Sequence, residues 1–371
     1  MEDALSGAIP SIPARSVDVS ALDRELSQLL RPPQDADESA QPVTRACMSN
    51  LIVFVGKESA HSISEELATI AERHPSRVML LLAEPEAGDR IRAAVSAFCY
   101  RTGEGRQICS EHVEVAAAPA EQRRLPSIVR PLLIGDLPTA LWWNAAEAPP
   151  LGGRIFEELA DMADRVLYDS LGWPDPARNV IATADWALRD GAAVYDLAWG
   201  RLEPWRRLLA ESLDPALRPG ALDGLRSLEV EHGPHALPKA WLLVGWLAGC
   251  LGWVTRGGSV EPGIAVRWSF EARDGPVAVT VRRAPDAPPE LRAVAIESRS
   301  AGGPWSVRFR AHGSGRLGVQ EGPADGPERI LPAVEEARAN LLASELSERG
   351  IDPFFRGALH VSRVMAKELM R

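Results

Sequence analysis

The chain has 371 residues, of which 46% are hydrophobic and 25% charged, a composition typical of a globular protein with a sizeable core. Its 51 acidic residues outnumber 41 lysines and arginines, so the chain repels phosphate backbones and anionic lipid. We therefore expect neither nucleic acid nor a membrane as a partner. The first residues lack the apolar run of a signal peptide, and the apolar stretch 240–254 is too short for a bilayer, so the sequence predicts a cytoplasmic protein.

The first 213 residues contain an appended helix and a domain in which strands and helices alternate. Residues 1–42 predict an amphipathic helix at 17–31 and a linker from Pro32 to Pro42. In residues 43–213, strands are predicted at 47–55, 77–83, 91–100, 107–117, in a run ending at 143 and at 165–169, and helices at 59–73, 120–133, 153–162 and 177–189. Such alternation is typical of an α/β domain with a mainly parallel sheet covered by helices.

Residues 214–371 show a different pattern. Strand-like runs separated by short turns lie at 225–231, 263–271, 276–283, 291–298 and 305–311, and helices are predicted at 238–253, 332–348 and 353–369. This pattern predicts an α+β domain with an antiparallel sheet. The boundary between the two domains is predicted near 213–224, where aspartate, proline and glycine cluster.

Four cysteines, without CxxC spacing, indicate neither a disulfide framework nor a zinc site. Two of them lie on the predicted strands that flank the turn Gly103-Glu104-Gly105. A three-residue turn places Cys99 opposite Cys109, at a distance that a disulfide bridges with modest adjustment. Either two packed thiols or a disulfide, and hence a redox pair, fits this spacing.

Two glycine-containing segments resemble phosphate-binding loops only superficially. Gly313-Ser314-Gly315-Arg316-Leu317-Gly318 matches GxGxxG, but the residues that follow cannot begin the helix that the phosphate mechanism needs. The segment is therefore predicted to be a hairpin turn. Gly56-Lys57-Glu58-Ser59 would require a glycine where Leu51 stands, so it is not a Walker motif.

No contiguous catalytic or metal-binding motif is present in the sequence. We therefore expect no catalytic residue, no cofactor and no metal. Four aspartates near predicted element ends are the remaining candidates for acid and base chemistry, with helix capping and arginine pairing as the alternative: Asp136, Asp164, Asp169 and Asp196.

Tryptophan is unusually abundant in the middle of the chain. Nine of the 11 tryptophans lie between Trp142 and Trp253. Tryptophan and arginine are enriched among the hot spots of protein interfaces, so this pattern favours a binding surface, although core packing at a domain junction is the alternative. The segment from Asp196 to Arg207 carries three arginines and two tryptophans.

Several segments together identify a family. The longest reads PLLIGDLPTALWW, from Pro131 to Trp143. The others run from Thr44 to Leu51, His74 to Arg77, Val95 to Ala97, Cys109 to Val113, Ala163 to Ser170, Asp196 to Arg207 and Ile351 to Leu359. In their order and spacing they resemble the glucose-6-phosphate dehydrogenase assembly protein OpcA family.

The resemblance implies an accessory protein, not an enzyme, that binds glucose-6-phosphate dehydrogenase and promotes its active oligomer or its substrate affinity. Such a protein supports the oxidative pentose phosphate pathway and its supply of NADPH. We expect the partner-binding residues, or the residues that hold the docking domain, to be Asp136, Trp142, Trp143, Trp199, Arg201, Trp205 and Arg206. Photosynthetic members are thiol-controlled, but Cys99 and Cys109 do not align with their regulatory cysteines. These two residues are a possible redox pair on the ground of their spacing alone.

A second hypothesis belongs to a different class of protein. An enzyme or sensor that binds a nucleotide or sugar phosphate would use the carboxyl edge of the first sheet, near Asp136 and Asp169.

Overall fold

The computed structural model describes residues 15–16, 19–29, 43–56, 63–84, 91–101, 107–189, 193–300, 303–323, 325–348 and 350–370. The chain forms two compact units, and neither is contiguous in sequence. Unit 1 comprises Met1–Tyr168, Ala192–Tyr195 and Ala337–Gly350, and unit 2 comprises Asp169–Gly191, Asp196–Glu336 and Ile351–Arg371. The boundary predicted near 213–224 therefore lies inside unit 2. The predicted linker and the turn at 103–105 lie outside the described residues.

The sheet of unit 1 is mainly parallel. Its strands are β1 (Arg15–Ser16), β2 (Val43–Arg45), β3 (Ser49–Val55), β4 (Ser76–Ala83), β5 (Arg92–Arg101), β6 (Gln107–Ala117), β7 (Thr139–Asn144), β8 (Arg165–Tyr168) and β9 (Ala193–Asp196). They lie in the order β1-β5-β6-β4-β3-β7-β8-β9, with β2 on β6. Among the described strand pairs with a defined register, two are antiparallel, β1 with β5 and β5 with β6, and the others are parallel. All seven residues of β3 are buried, as expected for a central strand covered on both faces.

The described helices of unit 1 are α1 (Val19–Leu29), α2 (Ile63–Arg73), α3 (Leu125–Val129), α4 (Gly153–Ala160) and, later in the chain, α9 (Arg338–Ser347). They lie within the predicted ranges, except that the helix predicted over 120–133 is not continuous and that α9 begins at 338 and not at 332. The single helix predicted over 120–133 was wrong: α3 is only five residues long and lies between two 3-10 turns. Pro126 suits the first turn of α3, but Pro131 has no N–H to continue an α-helix, which accounts for its early end.

The sheet of unit 2 is mixed and mostly antiparallel. Its strands are β10 (Leu225–His232), β11 (Val254–Glu261), β12 (Ala265–Ala272), β13 (Gly275–Arg283), β14 (Leu291–Ser300), β15 (Gly303–Ala311), β16 (Arg316–Glu321) and β17 (Glu328–Pro332), in the order β11-β12-β13-β10-β14-β15-β16-β17. The predicted antiparallel sheet is confirmed except at one place, where β10 and β13 pair in parallel. β10 is inserted between β13 and β14, a long-range pairing that local sequence does not encode.

The GxGxxG segment is the hairpin turn that the sequence predicts. It connects β15 to β16, and Gly313, Ser314 and Gly315 all have positive φ, at 71°, 50° and 65°. Glycine tolerates this conformation at no steric cost, which explains two of the three glycines without a ligand.

The helices of unit 2 are α5 (Pro176–Ala187), α6 (Leu197–Gly200), α7 (Glu203–Ser212), α8 (Leu237–Leu251) and α10 (Pro353–Leu369). Among them, α8 and α10 pack on one face of its sheet. The indole of Trp241 on α8 meets that of Trp268 on β12 edge to face, with centroids 5.9 Å apart, and Trp268 Nε1 donates to Met365 O on α10 at 3.1 Å. Within the described residues, no helix is both long enough and apolar enough to cross a membrane.

Close packing between α8 and α10 depends on Gly245. A Cβ at this position would lie 2.4 Å from the backbone oxygen of Ala358, whereas a Cβ at Gly357 on α10 would meet nothing within 4 Å. We therefore expect Gly245→Ala to lower the free energy of unfolding by about 1–3 kcal/mol through overpacking. Gly357→Ala is the matched control and should raise it by about 0.5–1 kcal/mol, because alanine is the better helix former. Urea unfolding of both variants measures the two effects, and equal changes would contradict the packing assignment.

Candidate functional site

The residues predicted to bind a partner are divided between the two units. Unit 1 contains Asp136, Trp142 and Trp143, and unit 2 contains Trp199, Arg201, Trp205 and Arg206. All four indoles are buried, with exposed fractions of 0% for Trp142, 4% for Trp143, 1% for Trp199 and 2% for Trp205. In this fold the four rings offer little surface to a partner, and direct contact between them and a partner stays a prediction. The other form of the prediction, in which they hold the part of the chain that docks, stays a prediction.

In unit 1, β7 places its two indoles in different environments. The ring of Trp143 stacks on Phe54, with centroids 4.3 Å apart, and its Nε1 donates to Glu147 O at 3.1 Å. The ring of Trp142 lies below the guanidinium of Arg338, 5.4 Å from the ring centroid, and Arg338 also donates to Glu66 Oε1 at 2.8 Å. Cation–π and ion-pair contacts thus tie α9 to α2 and β7 within this unit.

A cavity of about 400 Å³ lies at the amino edge of the sheet in unit 1. Its lining includes the first residues of four strands: Ser49, Thr139, Arg165 and Ala193. Four carboxylates line it: Asp136, Asp164, Glu345 and Glu348. Among its described lining residues Arg165 is the only basic one, and it already donates to Glu345 Oε2 and to Gly350 O, both at 2.6 Å. The negative charge of these described residues disfavours a phosphate.

The position of Asp136 corrects the second hypothesis. Asp136 precedes β7 and therefore lies at the amino edge, whereas Asp169 follows the carboxyl end of β8. Parallel strands place such residues at opposite edges, so the two aspartates do not share the carboxyl edge as predicted. Among the described residues, no group of three or more potential ligands is arranged to hold a metal ion.

In unit 2, two predicted aspartates have defined structural partners. Asp196 ends β9 and caps α6, with its Oδ1 accepting from Ala198 N at 2.9 Å and from Ser170 N at 3.0 Å. Arg201 donates to both carboxylate oxygens of Asp169, at 2.9 and 2.8 Å. Complete burial, and then the charge of Asp169, raise the pKa of Asp196 to about 7. The cap and the bidentate ion pair are the alternative to catalytic chemistry that the sequence left open.

Trp199 joins three elements of unit 2. Its Nε1 donates to Asp352 Oδ2 at 2.8 Å, and its ring lies 5.8 Å from that of Phe355 on α10. The guanidinium of Arg206, on α7, lies 3.5 Å from the centroid of the same ring. Trp199 and Arg206 of the segment 196–207 therefore pack internally, and they hold α6 and α7 against the start of α10.

Two residues of this region were missed at the level of sequence, although each carried a signal. Asp352 precedes Pro353, a combination typical of a helix N-terminus, and its Oδ1 accepts from Phe354 N at 2.8 Å. Lys239 is the only charged residue of α8, and its buried ammonium donates to Glu335 Oε1 at 2.6 Å. A single charge in an otherwise apolar helix indicates a buried ion pair.

Cys99 and Cys109 are directly opposed between β5 and β6, as the sequence predicts. The two sulfur atoms are joined, so of the two alternatives the structure contains the disulfide and not a pair of packed thiols. Cys47 is a free, half-buried thiol whose pKa is raised by burial and by the charge of Glu111, which makes it a poor nucleophile. Redox activity of the Cys99 and Cys109 pair stays a prediction.

Asp196 makes the stability of the chain depend on pH. Because its pKa rises from 3.8 to about 7 on folding, the folded chain retains a proton that the unfolded chain releases. Stability from this group therefore decreases as pH rises through that window and levels off above it. In Asp196→Asn, Oδ1 still accepts both backbone N–H groups, but nothing ionises. We expect the stability of this variant relative to wild type to increase by on the order of 2 kcal/mol between about pH 5 and pH 7.

Urea unfolding at several pH values measures this dependence. Asp214→Asn is the matched control, because Asp214 is exposed and its Oδ1 also accepts a backbone N–H, that of Ala216, at 2.8 Å. Equal pH profiles for the two variants would contradict the assignment to Asp196.

Two family models match the chain. One, described as the glucose-6-phosphate dehydrogenase subunit N-terminal domain, matches residues 68–185, and the other, described as its C-terminal domain, matches residues 192–359. Among curated relatives, the OxPP cycle protein OpcA of Synechocystis sp. is 30% identical over 53% of this chain and 41% of its own length. The OpcA of Nostoc punctiforme is 31% identical over 50% of this chain and 39% of its own length. The OpcA of Synechococcus elongatus is 26% identical over 81% of this chain and 69% of its own length. The chain thus spans about two fifths of the length of two of these relatives.

Solved structures provide only a distant likeness. An oxidoreductase from Sinorhizobium meliloti is 11% identical, with a TM-score of 0.45 over 86% of this chain and 88% of that chain. An NAD binding oxidoreductase from Klebsiella pneumoniae is 12% identical, with a TM-score of 0.48 over 86% and 96%. Both TM-scores are too low to support a conclusion. The two family models, in contrast, together match well over half of the chain, so the resemblance noted in the sequence is confirmed and the chain belongs to the OpcA family of glucose-6-phosphate dehydrogenase assembly proteins.

Proposed function

We propose that this chain is a non-catalytic accessory protein that binds glucose-6-phosphate dehydrogenase and favours its active oligomer or its affinity for substrate. One observation carries the proposal: both parts of the chain match models described as domains of a glucose-6-phosphate dehydrogenase subunit. The curated relatives, named as OxPP cycle proteins, support the same setting. In this role the protein acts as an allosteric effector in the cytoplasm and supports the pentose phosphate pathway and the supply of NADPH.

Such a protein needs no catalytic group of its own. If it binds the active assembly of the dehydrogenase more tightly than the inactive one, it shifts the population by the ratio of the two affinities. A tenfold ratio corresponds to about 1.4 kcal/mol, which a modest interface supplies. The engagement of Asp169 and Asp196 in an ion pair and a helix cap is consistent with this role.

Association is tested first by sedimentation velocity of the chain mixed with the dehydrogenase of the same organism. We expect a boundary that sediments faster than either protein alone and whose amplitude saturates with the amount of chain added. Separate boundaries at every concentration would contradict the proposal. Melting the chain alone with sugar phosphates or nucleotides tests the second hypothesis, which predicts a raised melting temperature without the dehydrogenase.

In this proposal Trp205 supports the docking part of unit 2 and does not touch the partner. It is buried on α7, whereas its neighbour Arg207 on the same helix is exposed. We expect Trp205→Ala to lower the free energy of unfolding by about 3–5 kcal/mol, from the lost burial and the cavity left behind. Affinity for the dehydrogenase, measured where the variant is still folded, should change little.

Arg207→Ala is the matched control for stability and should change it by less than about 0.5 kcal/mol. The opposite result for Trp205→Ala, unchanged stability with affinity lowered by roughly 30-fold or more, would show that the indole itself contacts the partner, as hot-spot residues do.

A further inference from the structure

The sheet of unit 2 is covered on one face only. Along β13, the buried Val279 and Val281 alternate with Thr280 and Arg282, which remain accessible. The other central strands alternate in the same way, and α8 and α10 pack on the buried face. On β13, β10, β14 and β15 the accessible face therefore carries one residue in two, whereas Leu317 to Gln320 of β16 are all buried.

Two rows of side chains cross the centre of this open face. The registers of β13, β10, β14 and β15 align Thr280, Glu229, Ala295 and Arg308 in one row and Arg282, Glu231, Ala293 and Arg310 in the next. A trough of about 250 Å³ is lined by these residues and Val230. The two alanines form its floor along β14, with the glutamates on one side and Arg308 and Arg310 on the other.

These rows carry five charges, of which Arg282 lies at the outer end of its row, in register with Glu231. The other four, which we call the central charges, are Glu229, Glu231, Arg308 and Arg310. Within the described part of the chain none of these four makes an ion pair or a side-chain hydrogen bond, although charges farther out on the same sheet do. Arg267 donates to Glu261 at 2.6 Å, and Glu328 lies 3.1 Å from His312 Nε2. The central charges are thus available to a partner that brings an arginine over each glutamate and a glutamate over each arginine.

We propose that this partner is a second copy of the same chain, packed face to face about a two-fold axis parallel to β14. Rotation about that axis places β10 of one copy over β15 of the other. Glu229 then faces Arg308 of the second copy, and Glu231 faces Arg310. An axis perpendicular to the strands would instead place glutamate on glutamate, which the repulsion of like charges disfavours. The charge pattern is therefore complementary to itself in one orientation only.

The dimensions of the face are sufficient for such a dimer. The alanines of β14 lie on the axis, where small side chains allow two sheets to approach to the usual distance of about 10 Å. The six strands from β11 to β15 in the sheet order, about 4.8 Å apart and with roughly seven residues each, provide roughly 700 Å² per copy. Stable interfaces bury about 600–1,000 Å² per partner.

Reversal of single charges tests the proposal with the full chain. In the Glu231→Arg variant, the substituted residue would face Arg310 of an identical copy. In the Arg310→Glu variant, the substituted residue would face Glu231 of an identical copy. Like charges then meet in both cases, so each variant alone should be monomeric. Mixed together, the two variants restore opposite charges at both contacts. We expect sedimentation equilibrium at low ionic strength to show a wild-type dimer, a dissociation constant raised about tenfold or more in each variant, and recovery to within about threefold in the mixture.

Recovery in the mixture excludes misfolding as the cause of dissociation, because each chain keeps its own substitution. Arg273→Glu, in the exposed turn between β12 and β13, is the matched control and should leave the wild-type dimer intact. A wild-type chain that stays monomeric at high micromolar concentration and low salt overturns the proposal. A wild-type dimer whose dissociation constant neither reversal changes also overturns it. So does a monomeric wild-type chain that binds the dehydrogenase and loses this binding on either reversal, since the open face would then bind that enzyme.

Discussion

The carboxylate of Asp352 is the contact on which the arrangement of unit 2 depends. One oxygen accepts the first backbone N–H groups of α10, from Phe354 and Phe355, and the other accepts the indole N–H of Trp199. The start of α10 is thereby fixed to α6, and α10 in turn packs on α8 and covers the sheet. A single half-buried side chain thus connects α6, in the segment 196–207, to the helix that packs on α8.

This contact explains why tryptophan and arginine are concentrated here. A guanidinium over an indole is as typical of a protein interface as it is of a domain interior, because both environments remove the ring from water. Arg206 lies 3.5 Å from the ring centroid of Trp199 within the same chain, and Arg338 lies over Trp142 in the same manner. Within each unit, these aromatic residues therefore stabilise the packing of that unit's own elements.

Local physical chemistry accounts for the parts of the structure that the sequence predicted. Continuous apolar runs such as β3 and the alternation around Cys99 and Cys109 depend on neighbours in the chain, and their strands and register agree with expectation. The hairpin turn at Gly313 to Gly315 needs residues with positive φ, and glycine, which adopts positive φ readily, stands at two of its three positions. These features need no knowledge of distant residues.

Long-range contacts account for the rest. The parallel pairing of β10 with β13 and the return of 337–350 to unit 1 involve residues far apart in sequence, for which a single chain without pairing information offers no signal. Local sequence does not predict the burial of a tryptophan side chain either, because its neighbours in the chain follow the same pattern whether the ring lies in a core or on a surface. The second hypothesis placed a ligand at the carboxyl edge of the first sheet, near Asp136. Asp136 precedes β7, so it lines a cavity at the amino edge instead.

We propose a protein that acts by binding, in which Trp199 and Arg206 serve the internal packing and the open sheet face is available to another chain. The most direct test of this role is the initial rate of glucose-6-phosphate dehydrogenase at substrate concentrations below its KM, measured as the purified chain is added. We expect the rate to rise and saturate, and the chain alone to produce no NADPH. A rate that stays constant at every concentration of added chain would contradict this role.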